Sequence, residues 1–312
     1  MKTACIIQGN IRYGFDLILN EIQKHFDVVI VSTWEDEKES ISDGDFVTIF
    51  NPKPQVAGYS HRNYQRYSTA RGIEKAKELK CDYVMKWRTD MLPTKIDVSQ
   101  LIEWANYDVP NGMSSRIVTC AYRNLTLRED WFSSIPDLFA FGHVDTMELL
   151  WGDAGFDYTK VINPPAEMLL DEGEEWIERA DVSGYWCAES ELYTIFKDRL
   201  QKKLNIKLSH EVIAKNYMRL FDYNHLGIIW FGYNRKLRPI FQAWQHPWWS
   251  EKTWNGVCKV VYGKKGYLVE GLILFVVERL NFFLNAKEIC MQYYNYKWYL
   301  YRRNNVRDNN PR

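Results

Sequence analysis

The feature that most constrains the fold of this 312-residue chain is an alternation of strand-like and helix-like patterns over its first 90 residues. Short apolar, β-branched runs predict four buried strands, at 3–7, 27–33, 46–50 and 82–87. Apolar residues at helical spacing predict helices over 15–25 and 63–79. The resulting β-α-β-β-α-β order predicts an α/β fold with a mostly parallel sheet flanked by helices.

The pattern is less regular beyond about residue 110. Residues 137–142 predict a strand that runs into a turn, and helices are predicted over 143–151 and 188–203. Between those helices, residues 163–185 are polar and acidic and contain two adjacent prolines. We expect this stretch to form a loop region over the functional site.

Polar residues follow three of the predicted strands, at 8–12, 33–35 and 88–90. The carboxyl ends of parallel strands meet at one edge of a sheet, and ligands of such folds bind in the crevice outside that edge. We therefore expect these three loops to converge on one crevice.

The fourth predicted strand ends in YVMKWRTDMLP, which places two cations, Lys86 and Arg88, beside one carboxylate, Asp90. This set can bind a diphosphate ester: a divalent cation on the carboxylate, with Arg and Lys nearby, would neutralise the phosphate charge. In the alternative interpretation, Arg88 and Asp90 face one side of an extended segment and form a surface ion pair. The residue types alone favour neither.

Composition excludes several classes of function. Forty basic and 40 acidic residues give zero formal net charge, so the overall electrostatic field of the protein does not favour the binding of nucleic acid. The sequence contains neither GxxxxGK(S/T) nor GxGxxG after a strand, which disfavours those nucleotide-binding folds. Six scattered cysteines without a CxxC pair indicate reduced thiols rather than structural zinc. No signal peptide is recognisable, and no apolar run approaches the ~20 residues that span a bilayer, so we expect a cytoplasmic protein.

Several motifs in combination resemble the WavE lipopolysaccharide synthesis family. The family's opening is matched by QGNIR at 8–12 and STW at 32–34, and its later D-L-F-x-F-G by residues 137–142. The most specific part is a helix of the form N-x-Q-x-x-S-T-x-x-G followed by a strand ending in K-x-R-T-D. These positions are Asn63, Gln65, Ser68, Thr69, Gly72, Lys86, Arg88, Thr89 and Asp90. The resemblance covers roughly residues 1–200.

This resemblance implies a GT-A-like glycosyltransferase, of hexosyltransferase type. The donor would be a nucleotide-sugar, with a UDP-sugar favoured, and the acceptor a lipopolysaccharide, capsular polysaccharide or lipid-linked saccharide. In GT-A folds a D-x-D motif at a strand end holds Mn²⁺ or Mg²⁺ on the donor diphosphate. Here R-T-D stands in its place, so either Asp90 alone binds the metal or Arg88 partly replaces the charge of the metal.

The predicted site follows from these matches and from the strand ends. Asp90 is the predicted metal ligand. Trp34 is expected to stack on the nucleotide or to fill core, and Lys86 and Arg88 to lie near the diphosphate or to be structurally paired. The residues predicted to bind the nucleotide-sugar are Gln8, Gly9, Asn10, Arg12, Thr33, Trp34, Asn63, Arg66, Lys86 and Arg88.

Glycosyl transfer passes through an oxocarbenium-like transition state, and an inverting enzyme needs a base for the acceptor hydroxyl. Glu189 is the first candidate because WCAESELY resembles the x-E-x-x-L segment of related transferases, and Glu191 is the second. Both are equally consistent with acidic residues at a helix start. Asp137 is a third candidate, for acceptor hydroxyls, or else a capping residue.

Charge is unevenly distributed towards the C-terminus. Residues 145–191 hold 13 Asp/Glu against 2 Lys/Arg, whereas residues 256–312 hold 10 Lys/Arg against 4 Asp/Glu. We expect a nucleotide-sugar and acceptor domain over 1–255 and a helical, aromatic and basic extension over 256–312. That extension either docks at the inner-membrane surface, where a lipid-linked acceptor would lie, or packs on the domain.

Two other functions remain open at this point. A metal-dependent nucleotidyl- or phosphotransferase also needs a metal and cations at strand ends. A non-catalytic partner in polysaccharide assembly would have the same fold as the transferases but no catalytic activity.

Overall fold

The computed structural model describes residues 1–239, except 13, 59–60, 94, 121–134, 136, 160–187, 210–211, 222–225, 227–228 and 231–237. The strands are β1 Thr3–Gln8, β2 Val28–Trp34, β3 Val47–Asn51, β4 Tyr83–Arg88, β5 Met91–Leu92, β6 Ile117–Cys120, β7 Ala140–His143, β8 Met218–Phe221, β9 Ile229–Trp230 and β10 Arg238–Pro239. The α-helices are α1 Phe15–Ile22, α2 Arg62–Glu78, α3 Val98–Asn106, α4 Val144–Trp151 and α5 Ala188–Leu204. A 3₁₀ helix spans Glu35–Ser40, and a π-helical turn spans Ile213–Tyr217.

Seven strands form the main sheet, in the order β3-β2-β1-β4-β7-β6-β8. The β1–β2, β2–β3, β1–β4 and β6–β8 pairs are parallel, whereas β7 is antiparallel to both β4 and β6. A smaller sheet joins β5, β9 and β10. The predicted α/β fold with a mostly parallel sheet is confirmed.

Each face of the main sheet has its own apolar layer, because side chains alternate along a strand. On one face, Ile6, Ile30 and Val84 pack under the layer that contains α2, α4 and α5. On the other face, Ile7, Val31 and the residues of α1 and α3 form the second core. Burial on both faces explains why these strands read as continuous apolar runs rather than as alternating ones.

The predicted elements of the first 90 residues are present, with ends shifted by at most three residues. Small and apolar residues allow α2 to pack closely on the sheet. Ala70, Ile73 and Ala76 are buried, and Gly72 lies against Ile6 of β1. A Cβ at Gly72 would lie 2.3 Å from Ile6 Cγ2, so the glycine allows this close approach.

Polar contacts join α2 to α4 and α5. Arg66 donates to the carbonyl oxygens of Leu150 and Gly152, at 3.1 and 3.0 Å, and Arg199 of α5 also donates to Gly152 O at 2.7 Å. These bonds satisfy carbonyl groups at the end of α4, which the helix itself leaves unpaired. The three helices are therefore cross-linked where α4 ends.

Two expectations fall outside the described residues: the loop over 163–185 and the C-terminal extension over 256–312. No helix in the described part of the chain is long and apolar enough to cross a membrane.

Candidate functional site

A cavity of about 340 Å³ opens at the carboxyl edge of β1, β2 and β4. All three polar loops predicted to converge there contribute to it. The lining residues are Gln8, Gly9, Asn10, Arg12, Trp34, Lys53, His61, Tyr64, Gln65, Arg88, Thr89 and Asp90. The sheet register explains the convergence, because Gln8 is level with Ser32 on one side and with Arg88 on the other.

The loop after β1 ties the three strand ends together. Gly9 has φ +110°, a conformation that L side chains rarely adopt, and its N–H donates to Ser32 O at 3.1 Å. The carbonyl of Asn10 accepts from Thr89 Oγ1 at 2.6 Å. The side-chain oxygen of Asn10 accepts from Trp34 Nε1 at 2.9 Å. One turn thus fixes the positions of Trp34 and Thr89 on the two neighbouring strands.

Asp90 lies at the centre of an ion-pair cluster. Arg88 contacts both carboxylate oxygens, Nε to Oδ1 at 2.9 Å and Nη2 to Oδ2 at 3.0 Å, and Arg12 Nη1 reaches Oδ2 at 2.7 Å. The Asp90 side chain is 2% exposed and that of Arg12 is 28% exposed. On its far side, Arg88 Nη1 lies 3.5 Å from Asp137 Oδ2. The ion pair proposed from sequence is present, but it is buried and includes a second arginine.

The other wall of the cavity is aromatic and comes from β2 and the start of α2. The rings of Trp34 and Tyr64 lie 5.2 Å apart, and the imidazole of His61 stacks on Tyr64 at 5.9 Å. His61 adopts φ +59° where the chain enters α2. Gln65 Oε1 is buried in this wall and has no hydrogen-bond partner among the described residues. The cavity lining thus combines a cationic part, formed by Arg12 and Arg88, with an aromatic part.

Buried hydroxyl groups support the floor of the cavity. Ser68 Oγ donates to Gln8 Oε1 at 2.9 Å, and Ser32 Oγ donates to the carbonyl oxygen of Ser68 at 2.7 Å. Asn51 donates to Ser32 Oγ at 2.9 Å. Residues that the family pattern shares, Gln8, Ser32 and Ser68, therefore join α2 to β1 and β2 beneath the site.

Four residues predicted to bind the nucleotide-sugar lie outside the cavity. Lys86 is fully buried, where it donates to Asp137 O and lies over the Trp151 ring at 4.8 Å. Thr33 is fully buried in β2. The other two, Asn63 and Arg66, are buried on α2. For Lys86 the structure favours the structurally paired alternative, since its ammonium group is enclosed between β7 and α4.

Asn63 and Arg66 hold α2 against the segment after α4. Asn63 Nδ2 donates to the carbonyl oxygens of Val56 and Tyr158, at 2.9 and 3.1 Å. The Arg66 guanidinium packs over the Phe156 ring at 4.8 Å, and burial lowers its pKa to about 10, with Arg199 as the next cause. These contacts indicate a structural role for Asn63 and Arg66.

The candidate bases occupy different environments. Glu191 is 5% exposed and pairs with Arg62 Nε at 3.0 Å, and neither residue lines the cavity. Burial raises the pKa of Glu191 above its ordinary value, although Arg62 and Arg66 act in the opposite direction. Glu189 lies in the first turn of α5, and its side chain is outside the described part. Asp137 is buried and does not line the cavity, but its Oδ2 lies 3.5 Å from Nη1 of Arg88, which does.

Sequence reasoning missed Lys53, His61 and Tyr64. Lys53 follows β3 closely, so the strand-end rule that selected the other loops could have found it. It forms an ion pair with Asp36 at the mouth of the cavity. For His61 and Tyr64 no local pattern exists, because their positions depend on how the chain enters α2.

The arrangement of Asp90 does not fit a divalent cation as it stands. Such ions need carboxylate oxygens with accessible lone pairs. Both oxygens of Asp90 accept from guanidinium groups. Across the described residues, no group of three or more His, Cys, Asp or Glu side chains could hold a metal ion. Of the two interpretations of R-T-D, the contacts favour the one in which arginine supplies the charge.

Comparisons with known proteins place the chain in a family. It is similar to the crystal structure of mannose-1-phosphate geranyltransferase from Thermus thermophilus, with 9% identity, a TM-score of 0.33, and coverage of 62% of this chain and 68% of that chain. At that score the likeness carries no functional assignment. No protein of curated function matches the sequence. The family described as WavE lipopolysaccharide synthesis matches residues 7–225, well over half of the chain. The chain therefore belongs to the WavE lipopolysaccharide synthesis family.

Proposed function

We propose that this protein is a glycosyltransferase that transfers a sugar from a nucleotide-sugar, with a UDP-sugar favoured, to a lipopolysaccharide or capsular polysaccharide acceptor. The observation that carries the proposal is the cavity at the carboxyl edge of β1, β2 and β4, whose lining combines arginines with aromatic rings. Its lining includes Gln8, Asn10, Arg88 and Asp90, which are positions of the family pattern. Family membership supports a role in lipopolysaccharide synthesis, and the residues that line the cavity support the binding of a nucleotide-sugar.

The lining of the cavity matches the two parts of a nucleoside diphosphate. Arginine donates to phosphate oxygens, and Arg12 and Arg88 both line the cavity. Arg12 is the more exposed of the two, because Arg88 uses its Nε–Nη2 edge for Asp90. Aromatic rings bind nucleobases by stacking, and the half-buried Tyr64 is the proposed platform, packed against Trp34, which is 1% exposed. A volume of about 340 Å³ lies at the lower end of the range for small-molecule sites.

Asp137 and Glu189 are the proposed bases for the acceptor hydroxyl, because a general base must lie within hydrogen-bond reach of the proton it removes. Asp137 adjoins the cationic part of the lining through Arg88. The buried pair of Glu191 with Arg62 favours a structural role for Glu191 instead. The 256–312 extension remains the proposed contact with the inner-membrane face.

The test is a product assay with a panel of nucleotide-sugars and purified lipopolysaccharide core as acceptor. We expect release of free nucleoside diphosphate, and Arg12→Ala should lower kcat/KM by roughly tenfold or more because a charged hydrogen bond to phosphate is lost. Lys75→Ala is the control, since Lys75 is paired with Glu78 on the surface of α2 away from the cavity.

Two other outcomes would replace the proposal. Release of pyrophosphate would indicate a nucleotidyltransferase. Nucleotide binding without turnover on any acceptor would indicate a non-catalytic partner in polysaccharide assembly.

A further inference from the structure

We infer that this protein binds the donor diphosphate without a divalent cation, through Arg12 and Arg88, and that Asp90 is the residue that positions both arginines. The inference rests on the proposed function and specifies how its donor is held. It assigns Asp90 a different role from the metal ligand that the R-T-D motif suggests.

The first argument is the coordination of Asp90. Its carboxylate receives three hydrogen bonds from two guanidinium groups, at 2.7 to 3.0 Å, and its side chain is 2% exposed. Three of the roughly four lone-pair positions of the carboxylate are thus occupied. A cation at the remaining position would have to enter a site that is 2% exposed. It would then lie beside Arg12 and Arg88, whose positive charges oppose it. A carboxylate that serves a metal is normally left open to it, and this one is not.

The second argument is the balance of charge in the cluster. Among the described residues, Arg12 and Arg88 contribute two positive charges to the cluster, and Asp90 and Asp137 contribute two negative ones. The second carboxylate, Asp137, is itself directed at Arg88, with Oδ2 3.5 Å from Nη1. Mg²⁺ sites use one or two carboxylates together with phosphate oxygens. Here the carboxylates of Asp90 and Asp137 already neutralise arginines.

The third argument is geometric. The two-point contact with Asp90 fixes the plane of the Arg88 guanidinium, and the contact from Arg12 brings a second guanidinium to the same carboxylate. Both arginines line the cavity. Donors that are held in place before the reaction stabilise developing charge without the cost of reorganisation. Asp90 thus acts through the arginines rather than on the substrate.

In the reaction, the acceptor hydroxyl oxygen forms a bond to the anomeric carbon while the bond from that carbon to the diphosphate oxygen breaks. The electron pair of the broken bond stays on the departing nucleoside diphosphate, whose added charge lies beside Arg12 and Arg88. The hydroxyl proton passes to the general base. No oxidant, reductant or further co-reactant is needed.

The decisive measurement is the affinity for UDP and for a UDP-sugar, by calorimetry, in EDTA and in Mn²⁺ or Mg²⁺. We expect Kd values that agree within about twofold across these conditions. Arg88→Ala and Arg12→Ala should each weaken binding roughly tenfold or more in EDTA. Lys75→Ala should bind as the unchanged protein does.

Asp90→Asn separates the two roles by whether its effect depends on the metal. If Asp90 positions the arginines, the exchange should lower kcat and should change Kd by the same factor in EDTA and in Mn²⁺. If Asp90 binds a metal, affinity should fall and the dependence on Mn²⁺ should weaken. The comparison of EDTA with Mn²⁺ uses the unchanged protein, and so it decides the question even if Asp90→Asn does not fold.

The outcomes distinguish this inference from the proposed function. Nucleotide binding that requires Mn²⁺ or Mg²⁺, or a metal dependence that Asp90→Asn abolishes with the fold intact, would overturn the inference and leave a glycosyltransferase in place. Failure to bind any nucleotide under all conditions would overturn both. Equal binding with and without metal, weakened by Arg12→Ala, supports both.

Discussion

Replacing Gly72 by alanine tests how closely α2 must approach β1 to form the site. Two effects oppose each other. Alanine is favoured over glycine inside a helix by about 1 kcal/mol, which would stabilise the protein. The added Cβ, however, would lie 2.3 Å from Ile6 Cγ2 and 3.1 Å from Cγ1 and Cδ1, well inside van der Waals contact. Overpacking of this kind costs about 1–3 kcal/mol.

The clash should dominate because Ile6 cannot move away easily. Its Cγ2 methyl is attached directly to Cβ, the side chain is β-branched and fully buried, and β1 is paired on both sides. With the contact so short, we place the cost at the upper end of the range and expect Gly72→Ala to lower the free energy of unfolding by about 1–2 kcal/mol. Urea denaturation followed by circular dichroism measures it.

A double-mutant cycle with Ile6→Ala provides the control. That change removes all three clashing atoms and alone should cost about 2–5 kcal/mol. In the Ile6→Ala background, Gly72→Ala should be neutral or stabilising, because the new methyl group enters vacated space. A stabilising Gly72→Ala in the unchanged protein, or the same effect in both backgrounds, would refute the reasoning.

Two further predictions concern the loop after β1 and the pair that joins α2 to α5. Gly9→Ala should lower the free energy of unfolding by roughly 1–3 kcal/mol through backbone strain at φ +110°. A clash is not the cause, because the new Cβ would lie at an ordinary distance of 3.7 Å from Thr89 Oγ1. An unchanged urea midpoint would contradict this prediction. Because burial raises the pKa of Glu191, its ionisation opposes folding, so its contribution to stability should fall as pH rises from its ordinary 4.5 through the raised value. The free energy of unfolding of the unchanged protein, minus that of Glu191→Gln, should therefore be largest at acid pH. An increase of this difference with rising pH would be inconsistent with the raised pKa.

The convergence of the site could be predicted from sequence because it follows from strand order alone. Once β1, β2 and β4 are parallel neighbours, residues such as Asn10, Trp34 and Asp90 must meet at one edge. The apolar runs that mark those strands are local signals, which explains why their ends were predicted within a few residues. The family motifs carried the same information.

The partners of individual side chains could not be predicted, because they depend on packing between distant segments. Lys86 lies two residues before Arg88 on β4, yet its ammonium group is enclosed by Asp137 O and the Trp151 ring of α4, away from the cavity. Glu191 resembles an acidic residue at a helix start, and only the tertiary fold brings Arg62 to it. The involvement of Arg12 with Asp90 likewise joins two loops that no sequence spacing connects.

The first turn of α2 also determines where the segment between α4 and α5 is anchored. Asn63 binds the carbonyl oxygen of Tyr158, shortly before residues 160–187, and Arg62 binds Glu191, shortly after them. Both attachments are thus made by consecutive residues, next to the His61–Tyr64 wall of the cavity. For a loop with fixed ends, each doubling of length costs only about 0.6 kcal/mol of closure entropy. The number of residues between Tyr158 and Glu191 could therefore change at little cost in free energy while the cavity residues of α2 keep their positions.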